Sequence, residues 1–255
     1  MRAPQPLTQL HVSQLLPCPY LPDRAERKLF APVMGLGAVE LYGNLQRAGF
    51  RRSHEIAYRP VCPGCNACIP VRVNAAKFNN AKWVRRTRNI NRPLRAAIGP
   101  ARGTEEHYAL FRRYLFDRHD DGGMLDMDYF DYREMVEATA ITSRMAEFRD
   151  PGGALIAACL FDITDDGLSA VYSYFDTSDD KKSLGTYIVI WMIDEAQKLG
   201  LPFVYLGYWI RGVPKMDYKS RFRPLEALVG GKWQDQSKLE LSDCASPAGD
   251  VILSR

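Results

Sequence analysis

The segment from residue 143 to residue 209 restricts the fold more than any other part of this sequence. It begins with three short apolar runs, which lie at RMAEFRD, residues 154–163 and residues 168–175 and are separated by PGG and DDG. Short apolar runs between turn-forming residues are typical of consecutive antiparallel strands. Residues 184–199 then have the pattern of a helix, and residues 203–209 that of another strand. The order of three strands, a helix and a strand predicts a mixed α/β fold.

The length and composition of the chain set the outer limits. A chain of 255 residues forms one large domain or two small ones, and a hydrophobic share of 46% allows a sizeable core and excludes wholesale disorder. No apolar run reaches the roughly 18 residues that span a bilayer. The beginning, MRAPQPLTQL, has no apolar core of signal-peptide length. We therefore expect a cytoplasmic protein that makes no membrane contact.

Charge is distributed unevenly along the chain. Residues 1–103 contain 17 Lys and Arg against 4 Asp and Glu, whereas residues 104–255 contain 17 against 26, so the balances are +13 and −9. A segment as basic as the first attracts polyanions, of which nucleic acid is the commonest in a cytoplasm. Its densest part, KWVRRTRNINRPLR from Lys82 to Arg95, has six cations and no acid. A solvated basic face is an equally good interpretation of that stretch by itself.

These differences predict three regions. The first, residues 1–103, is a basic N-terminal domain that carries a cluster of cysteines; the second, residues 104–235, holds the mixed α/β order; and the third, residues 236–255, is a flexible polar tail. In the first region we predict an irregular beginning, mainly helix over 25–49 with a break at Gly35 and Gly37, and strands over 50–58 and 69–75. In the second we predict helices over 104–119 and 128–140, with Gly122 and Gly123 between them.

The cysteines of the basic half form the first chemical feature. Cys62, Cys65 and Cys68 have the spacing C-x₂-C-x₂-C, which brings three thiols into one tight loop. Three thiolates do not close a tetrahedral site, and Cys18 in LPCPYLP is the natural fourth ligand. We predict that these four residues hold Zn²⁺ or an iron–sulfur cluster, two groups that the sequence does not distinguish. The alternative is that they pack as reduced thiols around a loop.

The second feature is the predicted helix start at KKSLGTY. Backbone N–H groups at a helix N-terminus form an anion site, and Lys181 and Lys182 precede it. The predicted strand and helix order matches the core of N-acetyltransferase-like folds, whose acetyl-CoA-using members have a richer glycine loop here. This chain has one glycine, Gly185, and is better suited to a single phosphate or a nucleic-acid end. An ordinary capped helix is the alternative.

The third feature is the segment from Tyr205 to Pro224, in which aromatic residues alternate with cations. Aromatic rings stack on bases or acyl groups, and cations hold phosphates. A core strand followed by a solvated basic loop is the alternative interpretation.

Several of these segments carry a family resemblance. LPCPYLPDR, GFRRS, YRPVCPGCNACIPVRV, RYLFDRHDDGGM, SAVYSYFD, SLGTY and YLGYWI…KMDYK occur in the order found in the aminoacyl-tRNA–protein transferases of the N-degron pathway. The chain resembles the bacterial members, from about Cys18 to Trp233. Val213 departs from the pattern, because relatives often have a cysteine there, which argues against an essential nucleophile at that position.

The resemblance implies a fold, a reaction and two substrates. The fold is an N-terminal cysteine-bearing domain with an N-acetyltransferase-like domain after it. The reaction is transfer of Leu from Leu-tRNA to proteins that begin with Asp or Glu, which marks those proteins for degradation. The acceptor α-amine has a pKa of roughly 7.7–8, so part of it is neutral at pH 7 and can attack the ester directly. Alignment, help with one proton and stabilisation of the oxyanion are then sufficient.

Candidate site residues follow from this chemistry. An acidic N-terminal side chain requires cations, for which Arg72 and Arg118 are candidates, with help from His119. An α-ammonium requires an acceptor, and we predict Asp176 or Glu147. Tyrosines that line the leucyl pocket or donate to the carbonyl are Tyr172, Tyr174 and Tyr205. The groups predicted to hold the tRNA end are Lys181, Lys182, Ser183, Gly185, Lys215 and Lys219. Salt bridges within the fold, and core packing for the tyrosines, are the alternatives.

Three other functions remain open from the sequence. One is arginyl rather than leucyl transfer, because an acidic pocket suits Arg and an apolar one suits Leu. Another is an acyl-CoA N-acyltransferase of the same fold. The last is a non-catalytic module that binds tRNA or senses a metal, which would bind charged tRNA without consuming its ester.

Overall fold

A large mixed sheet organises the protein. The computed structural model describes residues 9–118 and 124–239. The strands are β1 (His11–Val12), β2 (Leu16–Pro17), β3 (Ala25–Glu26), β4 (Lys28–Pro32), β5 (Arg51–Ser53), β6 (Ile56–Pro60), β7 (Ile69–Asn74), β8 (Arg95–Pro100), β9 (Ser143–Arg149), β10 (Leu155–Ile163), β11 (Gly167–Phe175), β12 (Phe203–Trp209), β13 (Leu225–Val229) and β14 (Lys232–Asp235). The α-helices are α1 (Ala38–Arg47), α2 (Lys82–Asn91), α3 (Glu105–Arg118), α4 (Tyr129–Glu137), α5 (Leu184–Lys198) and α6 (Pro214–Asp217). Short 3₁₀ turns cover Ala75–Lys77, Asp180–Lys182, Tyr218–Arg221 and Gln236–Lys238.

The predicted order of three strands, a helix and a strand is confirmed. Strands β9, β10 and β11 form an antiparallel meander, and β12 returns after α5 to pair with β11 in parallel. The complete sheet has eight strands in the order β14-β13-β7-β12-β11-β10-β9-β8. The protein therefore has the mixed α/β architecture, with one large mixed sheet and flanking helices, that the pattern predicts.

The large sheet includes strands from both sides of residue 103. Strand β7 lies between β12 and β13 and is antiparallel to both, and β8 pairs with β9 at the edge. A division of the chain into regions 1–103, 104–235 and 236–255 remains a proposal. Residues 240–255 of the proposed tail lie outside the described residues.

Residues 25–49 differ from the helix-rich expectation. Helix α1 is present and follows the expected break at Gly35 and Gly37, but residues 25–32 contain β3 and the whole of β4. Strand β4 pairs with β6 along its whole length, in a four-stranded sheet ordered β1-β4-β6-β5. This pairing partner lies about 28 residues away, and local sequence does not reveal such a partner.

Alternating side chains of β10 build a core on each side of the large sheet. Ala157, Cys159 and Phe161 face α5, whereas Ala158 and Leu160 face α3 and α4. All five side chains are at most 1% exposed. The sheet is therefore covered on both faces by helices. In the described part of the chain, no helix is both long and apolar enough to span a membrane.

A buried ion pair joins the smaller sheet to the larger one. Arg52 of β5 donates from Nε and Nη2 to the carboxylate of Asp162 on β10, at 2.7 and 2.8 Å, and Ser143 Oγ donates to the same carboxylate. The side chains of Arg52 and Asp162 are both fully buried. Tyr208 on β12 adds a hydroxyl that donates to the carbonyl of Gly49. The N-terminal sheet is thus fixed against the sheet that carries the site.

Candidate functional site

A cavity opens where strands β11 and β12 separate. The two strands pair in parallel from Gly167–Ser169 to Phe203–Tyr205, and their pairing ends at Ser169 and Tyr205. Beyond that point, Ala170, Ser173 and Phe175 of β11 and Leu206 of β12 line a cavity of about 500 Å³. The first turns of α5 form a further wall. A cavity of this size accommodates a small acyl group and part of its carrier.

The inner wall of the cavity is apolar. Cys159, Ile188, Met192 and Leu206 line it, and each is at most 4% exposed. Cys159 Sγ lies 3.8 Å from Met192 Sδ, and burial raises the pKa of the Cys159 thiol to about 12. This inner wall, which we call the floor of the cavity, is therefore uncharged at neutral pH. Transfer of a branched aliphatic side chain from water to such a surface lowers the free energy and therefore favours binding.

The rim of the cavity is charged and combines both signs. Arg118 at the end of α3 forms an ion pair with Asp180, with Nη2 2.7 Å from Oδ1. Asp176, Asp179 and Lys215 also line the opening. A charged rim above an apolar floor suits a ligand that has an apolar side chain and a charged group on the same small unit.

Asp176 is held as a carboxylate. It follows β11 directly, and its Oδ1 accepts a hydrogen bond from the backbone N–H of Ser178 at 2.9 Å. That bond, with smaller effects from Arg113 and Lys182, lowers the pKa of Asp176 below its usual value. A carboxylate that stays ionised at neutral pH is a poor proton acceptor but a good partner for an ammonium group.

The start of α5 supplies backbone donors to the same cavity. Ser183, in a left-handed conformation with φ of 48°, precedes the helix, and Gly185 and Thr186 lie in its first turn. The N–H groups of a first turn have no intrahelical acceptor and attract negative charge. Gly185 also has a packing role, because a Cβ there would lie 3.1 Å from Cε1 of Phe175. The single glycine thus lets Phe175 pack against the helix.

The structure brings together several of the predicted site residues. Those that line the cavity are Arg118, Asp176, Ser183, Gly185 and Lys215. Lys182 belongs to the turn at the rim, and its carbonyl accepts a hydrogen bond from Asn91 at 2.7 Å. Lys181 lies in the same turn. His119 lies outside the described residues.

Arg72 and Tyr205 lie elsewhere, on the sheet between β7 and β12. Arg72 Nε donates to Glu226 at 2.9 Å and Nη1 donates to Tyr205 at 3.0 Å. Its guanidinium carbon lies 3.4 Å from the ring centroid of Phe203. The Tyr205 hydroxyl in turn donates to Asp166 at 2.8 Å. Arg72 is only 8% exposed, so its guanidinium already has partners inside the fold.

Glu147, Tyr172 and Tyr174 lie on the side of the sheet that faces α3 and α4. Glu147 accepts a hydrogen bond from Arg149 at 2.9 Å. The Tyr174 hydroxyl lies 2.5 Å from that of Tyr132. The ring of Tyr172 packs edge-on against Phe111, 5.9 Å between centroids. None of these three predicted residues is among the described residues that line the cavity.

Lys219 is buried beside β12. It is 6% exposed, and Nζ donates to the carbonyl of Tyr208 at 2.5 Å. Burial, with a smaller contribution from Arg51, lowers the pKa of Lys219 to about 7. A side chain so enclosed cannot reach a phosphate at the surface, so we now assign Lys219 to holding the Tyr218–Arg221 turn against β12.

The four cysteines of the predicted metal site lie near one another. Cys62, Cys65 and Cys68 line a second cavity of about 790 Å³. Burial, and then the charges of Cys62, Cys18 and Cys65, raise the pKa of Cys68 to about 12. In the ranges 9–118 and 124–239, no three His, Cys, Asp or Glu side chains are arranged to hold a metal ion. The donor set has the right chemistry, but its arrangement does not fit.

Sequence reasoning missed several residues of the cavity. Asp179 and Asp180 at the rim stand immediately before the two lysines that drew attention to this segment, and the run DDKK was a usable signal. The apolar floor had no such signal in the sequence, because its residues come from β10, α5 and β12 and look like ordinary core residues.

Comparison with protein families and curated proteins identifies relatives over most of the chain. Residues 16–86 match the model described as "Arginine-tRNA-protein transferase, N terminus", and residues 106–229 match "Arginine-tRNA-protein transferase, C terminus". A protein of Gluconacetobacter diazotrophicus named "Aspartate/glutamate leucyltransferase" is 47% identical over 91% of this chain and 90% of its own. One of the same name from Paramagnetospirillum magneticum is 50% identical over 86% of this chain and 90% of its own.

Solved structures give weaker similarities. The structure of L-PGS from Bacillus licheniformis has a TM-score of 0.45 at 11% identity, over 72% of this chain and 54% of its own. The crystal structure of FemX has a TM-score of 0.44 at 9% identity, over 72% of this chain and 63% of its own.

Proposed function

Because this chain belongs to the arginine-tRNA-protein transferase family, we propose that it transfers leucine from Leu-tRNA to the α-amine of proteins that begin with Asp or Glu. The observation that carries this proposal is the cavity, with an uncharged aliphatic floor at Ile188 and Met192 beneath a charged rim at Arg118 and Asp176. The proposed consequence is entry of the modified protein into the N-degron degradation pathway.

The cavity can hold the leucyl group by both of its ends. The isobutyl side chain would rest on the apolar floor, where burial of such a side chain is worth about 1.5–3 kcal/mol. The α-ammonium of the same residue would bind the carboxylate of Asp176, which is ionised at neutral pH. The ester carbon then lies between the floor and the rim, where the acceptor amine can reach it.

The reaction we propose is a direct aminolysis. The neutral acceptor amine attacks the ester carbon, a C–N bond forms, the C–O bond to the ribose breaks, and the amine loses a proton as the ribose oxygen gains one. The developing oxyanion would be stabilised by the backbone N–H groups at the start of α5, near Ser183 and Gly185. No metal takes part in this sequence of steps.

Arg118 is our candidate for recognition of the acidic acceptor. Its side chain is 46% exposed and lines the cavity, so a substrate carboxylate can reach the guanidinium. In the free protein, the guanidinium of Arg118 forms an ion pair with Asp180. An incoming Asp or Glu side chain would exchange with Asp180 and regain the same charge-assisted contact.

The apolar floor favours leucyl over arginyl transfer. An arginyl guanidinium at Met192 and Cys159 would be buried without a carboxylate beside it, which is costly. The carboxylates of Asp179 and Asp180 lie at the rim. Arginyl transfer is therefore our second candidate, and it requires the side chain to point toward the rim.

Metal binding by Cys18, Cys62, Cys65 and Cys68 also remains a proposal, for Zn²⁺ or an iron–sulfur cluster. Support comes from the chemistry of four nearby thiols; the arrangement of the described residues speaks against it. Metal analysis and an absorption spectrum of protein purified without oxygen would test it. We likewise propose the cytoplasm as its compartment, because Leu-tRNA is found there.

A transfer assay tests the main proposal. It uses radiolabelled Leu-tRNA, Arg-tRNA and acetyl-CoA with peptides that begin with Asp, Glu, Asn or Lys. We expect label from Leu-tRNA on the Asp and Glu peptides and none from acetyl-CoA. Label from Arg-tRNA instead would establish the second candidate. Binding of charged tRNA without loss of the ester would contradict both and favour a binding module.

A further inference from the structure

Helix α2 has a strongly basic exposed face. Its buried side holds Val84, Thr87 and Asn91. Its solvent side, with the residue that follows the helix, presents cations that are all exposed: Lys82, Arg85, Arg86 and Arg92. Arg85, Arg86 and Arg92 lie three, four and ten residues after Lys82, and these offsets keep the four cations on one side of a helix.

Within residues 9–118 and 124–239, the salt bridges of the structure do not involve Lys82, Arg85, Arg86 or Arg92. From residue 56 to residue 104 the sequence contains ten Lys and Arg and no Asp or Glu. The nearest acids on the adjoining helix α5 are engaged elsewhere: Asp194 pairs with Arg88 at 2.6 Å, and Glu195 pairs with Lys198 at 2.6 Å. The exposed cations therefore produce a positive field at the surface.

The helix leads to the opening of the cavity. Arg88 near its end contacts Asp194 in the second half of α5, and Asn91 donates to the carbonyl of Lys182 just before α5 begins. Helix α2 therefore runs antiparallel to α5 and ends at the Asp180–Lys182 turn, whose Asp180 lines the cavity. Ten helical residues cover about 15 Å.

A further cation continues the patch toward another wall of the cavity. The guanidinium carbon of Arg221 lies 4.7 Å from the ring centroid of Trp83 on α2, and its side chain is exposed. Arg221 belongs to the turn that supplies Tyr218 to the cavity. We call Lys82, Arg85, Arg86, Arg92 and Arg221 the α2 basic surface.

We propose that the α2 basic surface binds the sugar–phosphate backbone of the tRNA acceptor stem while the aminoacylated end occupies the cavity. This inference rests on the proposed function. Helical RNA is recognised mainly through its shape, phosphates and 2′-hydroxyls, and a rigid row of cations suits the phosphates. A membrane-surface helix would instead expose its apolar side, and that side of α2 is packed on the protein core.

Binding of deacylated tRNA tests the surface separately from catalysis. End-labelled tRNA is titrated with the full chain, and fluorescence anisotropy is recorded between 50 and 300 mM KCl. The variant is Arg85→Ala with Arg86→Ala. Its control is Lys232→Ala with Lys238→Ala, which removes the same charge from exposed positions outside the α2 basic surface.

We expect the α2 variant to bind at least 10-fold more weakly at 100 mM salt, and its salt slope to fall by about 2, because two phosphate contacts are lost. The control should change affinity less than twofold. The variant Arg85→Lys with Arg86→Lys should restore binding, since a phosphate accepts either cation. Equal affinities and slopes for the α2 variant and the control would overturn the proposal, as would loss of binding to anionic vesicles with tRNA binding unchanged.

A truncated donor separates this proposal from the proposed function. Leucine esterified to a CCA trinucleotide reaches the cavity but has no acceptor stem. With it, the α2 variant should transfer leucine at the wild-type rate, while its KM for full-length Leu-tRNA rises. If neither donor is consumed by any variant but the anisotropy differences persist, the proposed reaction is wrong and the RNA-binding surface stands. An equal loss of rate with both donors would show that the α2 residues stabilise the fold and do not bind the acceptor stem. That result would overturn the inference.

Discussion

Arg118 at the end of α3 and Asp180 before α5 are joined across the rim of the cavity, with Nη2 2.7 Å from Oδ1. The Asp180 side chain is 83% exposed, so the pair is a weak one, and exposed pairs of this kind contribute at most about 1 kcal/mol. A substrate carboxylate can therefore displace Asp180 at little cost. Arg118 thus has a partner in the free protein and remains available to a ligand.

The first prediction concerns this arginine. Arg118→Ala should reduce the preference for an Asp peptide over its Asn counterpart by about 10-fold in kcat/KM, because a charge-assisted contact is lost. Initial rates with the two peptides measure it. Arg133→Ala serves as the control, since Arg133 is also exposed and paired, with Glu137, on α4. An unchanged preference in Arg118→Ala would assign recognition to another group.

The second prediction concerns pH. The pKa of Asp176 is lowered, so its carboxylate is fully charged from pH 6 to pH 9. Titration of Asp176 therefore cannot change the reaction rate in that range. At saturating Leu-tRNA, where Asp176 keeps the bound leucyl ammonium protonated, the rate should rise with pH as the acceptor amine, with a pKa of about 7.7–8.0, loses its proton, and then level off. Asp176→Asn should lower the plateau about 10-fold without moving the midpoint. A displaced midpoint would show that Asp176 accepts the proton.

The third prediction concerns Gly185 and Phe175. In Gly185→Ala the new Cβ would meet the Phe175 ring at 3.1 and 3.3 Å, so this ring, which lines the cavity, must shift. We expect kcat/KM to fall at least fivefold. Because Phe175→Leu removes the obstructing ring atoms, the double variant should recover most of the loss. Losses that simply add would place the effect outside this contact.

The fourth prediction concerns the buried pair of Arg52 and Asp162. Arg52→Met leaves a buried carboxylate without its partner, which should lower the free energy of unfolding by about 3–5 kcal/mol. Arg52→Met with Asp162→Leu should lower it by clearly less than the two single changes together. Urea denaturation of the three variants measures these differences, and strict additivity would contradict the pairing.

The fifth prediction concerns Lys219, whose pKa is lowered to about 7 by burial. The unfolded chain keeps this proton up to about pH 10.4. Between pH 7 and pH 10 the unfolded state therefore binds more protons, and the contribution of Lys219 to stability rises with pH. The difference in unfolding free energy between wild type and Lys219→Met should move in favour of wild type by about 1.4 kcal/mol per pH unit above pH 7. A constant difference from pH 6 to 9 would show that Lys219 does not titrate in this range.

The central order of strands and helix can be predicted from the sequence, because these elements carry their own local signals. Apolar runs between PGG and DDG define β9 to β11, and the apolar content of residues 184–199 defines α5. Ordered motifs over most of the chain determined the family. The charged part of the site was also accessible, since Arg118, Asp176 and Ser183 stand out against their neighbours.

Tertiary structure decided which residues meet. Strand β4 lies where the local sequence predicts helix, because its pairing partner, β6, is remote in the chain. The charges of Arg72 and Lys219 suggest substrate contact, but both side chains have partners inside the fold. Arg72 donates to Glu226 and Tyr205, and Lys219 donates to the carbonyl of Tyr208. The cavity floor was invisible in the sequence, because an apolar side chain has the same local signature whether it fills a core or lines a pocket. The divergence of β11 and β12 decides between the two, and it depends on contacts from across the whole chain.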